Sequence, residues 1–460
     1  MRAPPFKRIL IANRGEIAVR VIRACDSLGI ESVAAVSAAD RESLAARMAT
    51  RVVCIGPPPA QQSYLKPELL VTAAKGTQCQ AIHPGYGFLS ERAQFSRMCA
   101  EEGLTFIGPS PEAIEAMGDK LSAVELAEKA GVPRVPGSGR IKSAADARDF
   151  ARRHGFPILV KASAGGGGRG MRVVRREADI AREIESAAAE AQAAFGDPTL
   201  YVEKFIERAR HIEIQVLGDS HGNVVHLGER DCSTQRRHQK LIEEAPSPAI
   251  DAELRQELAS ASVRLAQRVH YVGAGTVEFV LDEDSRRWYF LEMNTRIQVE
   301  HPVTEMITGR DLVAEQIRIA AGEPISFTQE QVRLVGHAIE CRINAEDATR
   351  NFAPGPGRLK TWVAPAGDGI RVDTHCFPGY LVPPYYDPLL AKVITHGASR
   401  AEALDRMCAA LERLEVTGVP TTTPFHRQVL VHDDFRSGKV TTRWVEEKFL
   451  AAATAGKAAP

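Results

Sequence analysis

The feature that most constrains this chain is an alternation of short apolar runs with amphipathic ones over residues 7–107. Lys7–Ala12, Ser32–Val36, Arg51–Ile55, Gln80–His83 and Leu104–Ile107 read as strands. Between them, a segment starting at Glu16 spaces Ile17, Val21, Ile22, Cys25 and Leu28 as one face of a helix. Helical patterns recur over 41–49, 66–75 and 91–102. Strands alternating with helices imply a parallel, doubly wound sheet. Ligands of such sheets sit beyond the carboxyl ends of the strands. The loops Asn13–Glu16 and Pro84–Ser90 are therefore candidate site lining.

The alternation stops at Gly108-Pro109-Ser110-Pro111, where Ser110 is placed to cap a helix that has Pro111 at its first position. With 460 residues, the chain exceeds one ordinary core, and two to four domains are expected. The pattern divides it into an N-terminal unit (1–118), a second unit (119–330) and a third (331–450). The second opens with helices and ends in a hairpin around 275–295. The third starts at an apolar strand, Gly336–Ile343, and is rich in Pro and Gly before a helix at Arg400–Leu414. The fold class is α/β, or α+β taken over the whole chain. The tail 451–460, AAATAGKAAP, is expected to be disordered. Lys+Arg and Asp+Glu both number 58, which argues against nucleic acid or a membrane surface as partner. Eight cysteines without a C-x-x-C pair, no run of about 18 apolar residues and no leader-like N-terminus fit a cytoplasmic protein.

Three stretches carry chemistry. Ser163–Gly170 (SAGGGGRG) lies between the apolar strands Ile158–Ala162 and Met171–Val174. A slack loop is one reading. The flanking Lys161 and Arg169 favour another, in which glycine N–H groups wrap phosphate oxygens. No G-K-[ST] follows, so this is not a P-loop, and a strand rather than a helix follows, so it is not a dinucleotide fingerprint. A glycine flap between antiparallel strands suits a mobile lid over ATP.

The second stretch is a hairpin, Gly275–Leu281 and Arg287–Met293, with Glu278 and Glu292 inside apolar runs. Strict alternation puts Trp288, Phe290, Glu292 and Asn294 on one face and Tyr289, Leu291 and Met293 on the other. Two buried carboxylates on paired strands repel unless a cation joins them. Hard oxygen donors point to Mg²⁺ or Mn²⁺, with ATP phosphates completing the shell. An extended chain would continue this edge through Arg296, Gln298 and Glu300. The third stretch, Glu229–Lys240 (ERDCSTQRRHQK), reads either as a solvated basic loop or as a grip on a small anion.

These stretches together make the chain resemble the biotin carboxylase family of ATP-grasp ligases, including the biotin carboxylase subunit of acetyl-CoA carboxylase in fatty acid biosynthesis. The resemblance is carried by IANRGEIAVRVIRA, AIHPGYGFLSE, MGDK, SAGGGGRGMRVV, ERDCSTQRRHQK, EAPSP, EMNTRIQVEHPVTE and ECRINAED, in family order. It implies an ATP-grasp domain over 119–330 with a lid at about 135–205. It implies that ATP phosphorylates bicarbonate to carboxyphosphate, which carboxylates biotin on a carrier protein. By resemblance, Lys120, Lys161, Gly167, Gly168, Glu203, Lys204, Phe205, Ile206, His211, Gln235, His238, Glu278 and Glu292 contact ATP. Glu278, Glu292 and Asn294 hold the metal. Lys240, Arg296, Gln298 and Val299 hold bicarbonate, Glu300 is the general base, and Arg342 stabilises the biotin enolate.

Departures from the family pattern, at Ala164, Thr234 and Ile206, remove no catalytic group. The C-terminal VTTRWVEEKF is close to forms in carboxylases for other acyl-CoAs, which leaves the acceptor open. Rival readings are another ATP-grasp ligase and a catalytically silent member of a carboxylase complex. Arg342 and RIQVE argue against the first, and the intact acidic and basic set argues against the second. No Met-Lys dipeptide of a biotin acceptor occurs. A separate biotin carboxyl carrier protein, a separate carboxyltransferase and a homodimer are expected.

Overall fold

A computed structural model of the chain describes residues 5–162 and 171–452, apart from the side chains at 120, 121 and 195. The N-terminal unit is the expected parallel sheet. Its strands β1 (Arg8–Ile11), β2 (Glu31–Val36), β3 (Arg51–Cys54), β4 (Ala81–His83) and β5 (Thr105–Phe106) lie in the order β3-β2-β1-β4-β5. All four neighbouring pairs are parallel. Alternate residues of β1 feed different cores. Ile9 and Ile11 pack with Ile17 and Val21 of α1 (Gly15–Ser27), and Leu10 packs with Val33 and Ile82. The strand order reverses between β1 and β4, so the loops after these two strands open a crevice. Asn13 ties them together, its Nδ2 donating to the carbonyls of Pro84 and Tyr86 at 2.7 Å each. Ser110 caps the helix Pro111–Gly118 by accepting from the Ala113 N–H.

Four antiparallel strands, β6 (Gly137–Ile141), β7 (Ile158–Ala162), β8 (Met171–Val174) and β9 (Leu200–Lys204), form a separate sheet in the order β6-β9-β7-β8. β7 and β8 are antiparallel, as the flap reading requires. The glycine run between them, with Gly167 and Gly168, lies outside the described residues.

The largest sheet has eight strands. Five come from the second unit: β10 (Ala209–Gly218), β11 (Val224–Arg236), β12 (Gln239–Ala245), β13 (Gly273–Asp282) and β14 (Trp288–Asn294). Three come from the third: β15 (His337–Asn344), β16 (Ile370–Thr374) and β17 (Leu389–Gly397). Their order is β14-β13-β10-β11-β12-β15-β17-β16. β12 pairs directly with β15, Ile242 opposite Cys341, so the sheet passes unbroken from one sequence segment to the next. Helix α2 (Ala252–Arg268) packs on β10 and β11, α3 (His301–Thr308) on β11, β12, β15 and β17, and α4 (Arg400–Arg413) on β15 and β17. Ala451 and Ala452 are helical, which corrects the expectation that disorder starts at 451; residues 453–460 lie outside the description. The eight cysteines are unpaired. Among the described residues no helix is long and apolar enough to cross a membrane.

Strict alternation along β14 does not hold. Glu278 pairs with Glu292 but Phe279 pairs with Phe290, so Leu291 is an extra residue bulged out of the ladder. Phe290 and Met293 consequently enter the same core, beside Val277 and Phe279. The bulge turns Glu292 away from the Phe290 face and Leu291 outward; both are exposed, so of the two carboxylates expected to be buried only Glu278 is.

Candidate active site

Three glutamates line up across adjacent strands. Glu213 of β10 pairs with Glu278 of β13, which pairs with Glu292 of β14. Cross-strand partners project from the same face, so three like charges stand side by side, an unfavourable row without cations. Lys240, near the start of β12, reaches across to answer it. Its Nζ donates to Glu213 at 2.6 Å, to Glu278 at 2.9 Å and to Glu300 at 2.6 Å. His211 Nε2 stands 3.1 Å from Glu278 Oε2. Arg230, fully buried, pairs with Glu213 and donates to Gln215, Thr276 and Thr304.

Burial disfavours each of these charges, but the partners prevail. Lys240 is raised well above the lysine range by Glu213, Glu278 and Glu300. Glu278 is lowered by Lys240 and His211. Glu300 is lowered well below the carboxylate range by Lys240, Arg342 and Arg230. Lys240, Glu278 and Glu300 are therefore held in their charged forms.

β14 ends at Asn294, and the chain beyond it carries its polar residues into one edge. Arg296 donates to Asn294 Oδ1 at 2.9 Å and to Gln298 Oε1 at 3.0 Å, and Gln298 Nε2 donates to Glu278 at 3.0 Å. Glu91 of the N-terminal unit holds Arg296 Nε at 2.8 Å and the Thr295 N–H at 3.1 Å. Ile297 points the other way, into the core under α1. The chain turns at Glu300, which becomes the N-cap residue of α3. Its buried carboxylate lies between Lys240 on one oxygen and Arg342, at 3.0 Å, on the other.

Arg342 of β15 is also bound by Glu243, through Nε at 2.5 Å. It lines a cavity of about 280 Å³ with Asn13, Glu16, Tyr86, Val299 and Asp387. The two loops expected as lining thus lie at this cavity, against Arg342. Glu340, two residues earlier on β15 and paired with Glu243, is fully buried, and among the described residues both its carboxylate oxygens lack hydrogen-bond partners. Burial pushes its carboxyl well above the usual range.

Residues assigned to the nucleotide are less tightly gathered. Lys161 pairs with Glu203 within the four-stranded sheet. Lys204 turns to the backbone, donating to the carbonyls of Gly155 and Phe156 at 3.2 and 2.9 Å. Arg443 lies 5.0 Å over the Phe205 ring, and Ile206 is half-buried. Gln235 is buried opposite Lys240 in the ladder. His238 shares the β11–β12 hairpin tip with Arg237, both exposed, at φ 64° and 48°. Among the described residues, no hydrogen bond or ion pair joins Lys161, Glu203, Lys204 or His238 to Glu278. The Lys120 side chain lies outside the description.

The donors Glu278, Glu292 and Asn294 suit a hard divalent cation: two carboxylates face each other across a strand pair and an amide follows on the next even position. Asn294 Oδ1 already accepts from Arg296, so a metal would share that oxygen.

Family models match almost the whole chain: "Biotin carboxylase, N-terminal domain" over 5–114, "Carbamoyl-phosphate synthase L chain, ATP binding domain" over 119–328, and "Biotin carboxylase C-terminal domain" over 340–447. The biotin carboxylase of a Nostoc species is 54% identical over 443 residues, covering 96% of this chain and 99% of the relative. The chain belongs to the biotin carboxylase family. It is an ATP-dependent ligase. The biotin carboxylase domain dimer of Hydrogenobacter thermophilus 2-oxoglutarate carboxylase, solved with MgADP, ADP and bicarbonate, superposes with a TM-score of 0.88 at 51% identity, covering 96% and 97% of the two chains. A crystal structure of the biotin carboxylase part of pyruvate carboxylase superposes with a TM-score of 0.86 at 50% identity, covering 96% and 98%.

Four residues in or around this cluster, Glu213, Glu91, Glu243 and Lys392, are not among those that the sequence singles out. Glu213 has a visible signal: in HIEIQV, Glu213 and Gln215 alternate with Ile212, Ile214 and Val216, a polar face on a strand that is buried on both sides. Glu91 closes the stretch AIHPGYGFLSE but its partner lies 205 residues away, and Lys392 lies in no such stretch, its partner 93 residues away.

Proposed function

We propose that this chain carboxylates carrier-borne biotin with bicarbonate and ATP, and that the row from Glu278 to Glu300 divides the work. Lys240, Arg296 and Gln298, with the Val299 backbone, hold bicarbonate. Glu300 takes its proton. Arg342 meets the enolate form of the biotin ureido group in the cavity lined by Tyr86 and Asp387. Mg²⁺ held by Glu278, Glu292 and Asn294 would neutralise charge on the transferring phosphoryl group. Lys161, Glu203, Lys204, His211, Gln235 and His238, with Lys120, Gly167, Gly168, Phe205 and Ile206, would complete the nucleotide site. Positioning and charge neutralisation supply most of such catalysis.

The observation that carries this reading is the placing of Glu300. It is a buried carboxylate bridged by Lys240 and by Arg342, and Arg342 also faces a ligand-sized cavity. Base, anion grip and cavity are thereby within one hydrogen bond of each other. The units 1–118, 119–330 and 331–450 are proposed as the N-terminal, ATP-grasp and C-terminal parts, with 135–205 as the lid. A homodimer, a separate carrier protein, a separate carboxyltransferase and a cytoplasmic location complete the proposal. The acceptor is left open between acetyl-CoA and other acids, since similar structures include parts of carboxylases of pyruvate and 2-oxoglutarate. The test is ADP release from Mg-ATP and bicarbonate, with and without free biotin. Stimulation by biotin is expected; its absence would overturn the proposal.

A further inference from the structure

Lys392 of β17 is completely buried and outside every role assigned above. Its Nζ donates to the Val299 carbonyl at 2.8 Å and lies 3.1 Å from Glu16 Oε2 and 3.9 Å from Asp373 Oδ2. Glu16 is itself buried at the start of α1, and its other oxygen accepts from the Tyr86 hydroxyl. One ammonium therefore joins the N-terminal unit, the turn before Glu300 and the third unit's sheet. In the β15–β17 ladder Lys392 stands opposite Arg342. The two cations stand side by side, Lys392 buried and Arg342 partly so, and nearby carboxylates offset their repulsion: Glu243 and Glu300 at Arg342, Glu16 at Lys392, with Asp373, which is bonded to Arg371, farther off.

Stability alone gives a poor reason for this arrangement. A buried ion pair is often matched or bettered by well-packed apolar side chains of similar volume. What an apolar residue cannot do is bond the Val299 carbonyl. That carbonyl belongs to the residue before Glu300, so fixing it fixes the backbone from which the base projects. Glu16, Tyr86 and Val299 all line the cavity against which Arg342 stands. A ligand pressing on Glu16 or Tyr86 acts on the same ammonium that holds the Glu300 turn.

We propose that Lys392 is a positioning residue that orients Glu300 through the Val299 carbonyl and, through Glu16 and Tyr86, couples occupancy of the cavity to the base. The proposal rests on the reading of Glu300 as base and of the cavity as the biotin site. Its test compares the full-length wild type with Lys392→Met, with the double variant Lys392→Met/Glu16→Gln, which leaves no uncompensated buried charge at that contact, and with Glu16→Gln. Each is assayed for ADP release against ATP, bicarbonate and free biotin.

Both Lys392 variants should keep the KM for ATP and lose about 10–100-fold in biotin-stimulated kcat, the scale of a misplaced catalytic group. The ratio of stimulated to unstimulated rate should fall with it. Glu16→Gln keeps the bond to Val299 and should lose about tenfold. A merely structural lysine would lower thermal stability without changing that ratio. A folded double variant with wild-type kcat and stimulation would overturn the proposal while leaving the functional reading intact. A wild type that biotin does not stimulate would overturn both.

Discussion

Glu300 shows how one residue's surroundings set its chemistry. Lys240, Arg342 and Arg230 hold its carboxyl well below the usual range despite complete burial, so it is ready to accept a proton but is a weak base as it stands. Anionic bicarbonate and phosphate entering beside Lys240 and Arg296 would offset those cations and strengthen the base at the moment of use. Glu300→Gln should therefore leave ATP binding intact and lower bicarbonate-dependent turnover about 10²–10⁴-fold; unchanged turnover would remove Glu300 from the base role. Glu340 is the opposite case. Its carboxyl is raised by burial, with Glu243 adding and Lys392 opposing. The folded state thus keeps a proton that the unfolded chain releases above a pH of about 4.3. A raised folded pKa contributes stability that is fully present below that pH and is lost as pH rises towards the folded value. Glu340→Gln should match wild type in thermal unfolding near pH 4 and exceed it near pH 8, by about 1 kcal/mol or more. An equal difference at both pH values would show that Glu340 is not held protonated.

At the scale of elements, the parallel sheet and the two site loops were legible because period-2 and period-3.6 patterns are local properties of the sequence. The face of β14 was not, because the bulge at Leu291 depends on how β14 registers with β13, and no residue in RWYFLEM announces it. The even positions from Glu292 to Glu300 still converge. The bulge lies before them, and although the chain bends at Arg296 and turns at Val299–Glu300 instead of staying extended, Glu91 and the burial of Ile297 hold that path in place. The roles of Glu91 and Lys392 were illegible for the same reason: they come from partners brought in by tertiary packing. The β11–β12 hairpin holds a further local tension. Arg237 and His238 both take left-handed backbone angles, which suit glycine or asparagine in such a two-residue turn. A non-glycine residue there costs on the order of 1–3 kcal/mol. His238→Gly should stabilise the protein by about 1 kcal/mol and, if the imidazole meets ATP as proposed, raise the KM for ATP. A KM that stays put while the melting temperature rises would leave the strain without that function.

On the scale of the molecule, the sequence divides into three units but the buried charges do not respect the divisions. Glu305, on α3 just after the proposed base, binds Arg20 of α1 at 2.8 Å and Arg371 of β16 at 2.7 Å. Arg20 also binds Asp311 at 2.6 Å, and Arg371 binds Asp373 at 2.7 Å. One carboxylate in the second unit therefore holds an arginine from each of the other two. Removing one partner of a buried pair leaves the other charge uncompensated and typically costs about 3–5 kcal/mol, far more than the pair is worth against an apolar replacement. Glu305→Ala should fall in that range, with Asp311 and Asp373 limiting the loss. Glu305→Gln, which keeps the acceptor oxygen and the volume, should cost less. Differential scanning calorimetry of the intact chain distinguishes two ways this can appear. If Glu305 clamps the three units into one cooperative body, Glu305→Ala should split or broaden the transition as well as lower it. If the eight-stranded sheet alone couples the second and third units, their transition should stay single and only the N-terminal unit, joined through Arg20, should melt earlier.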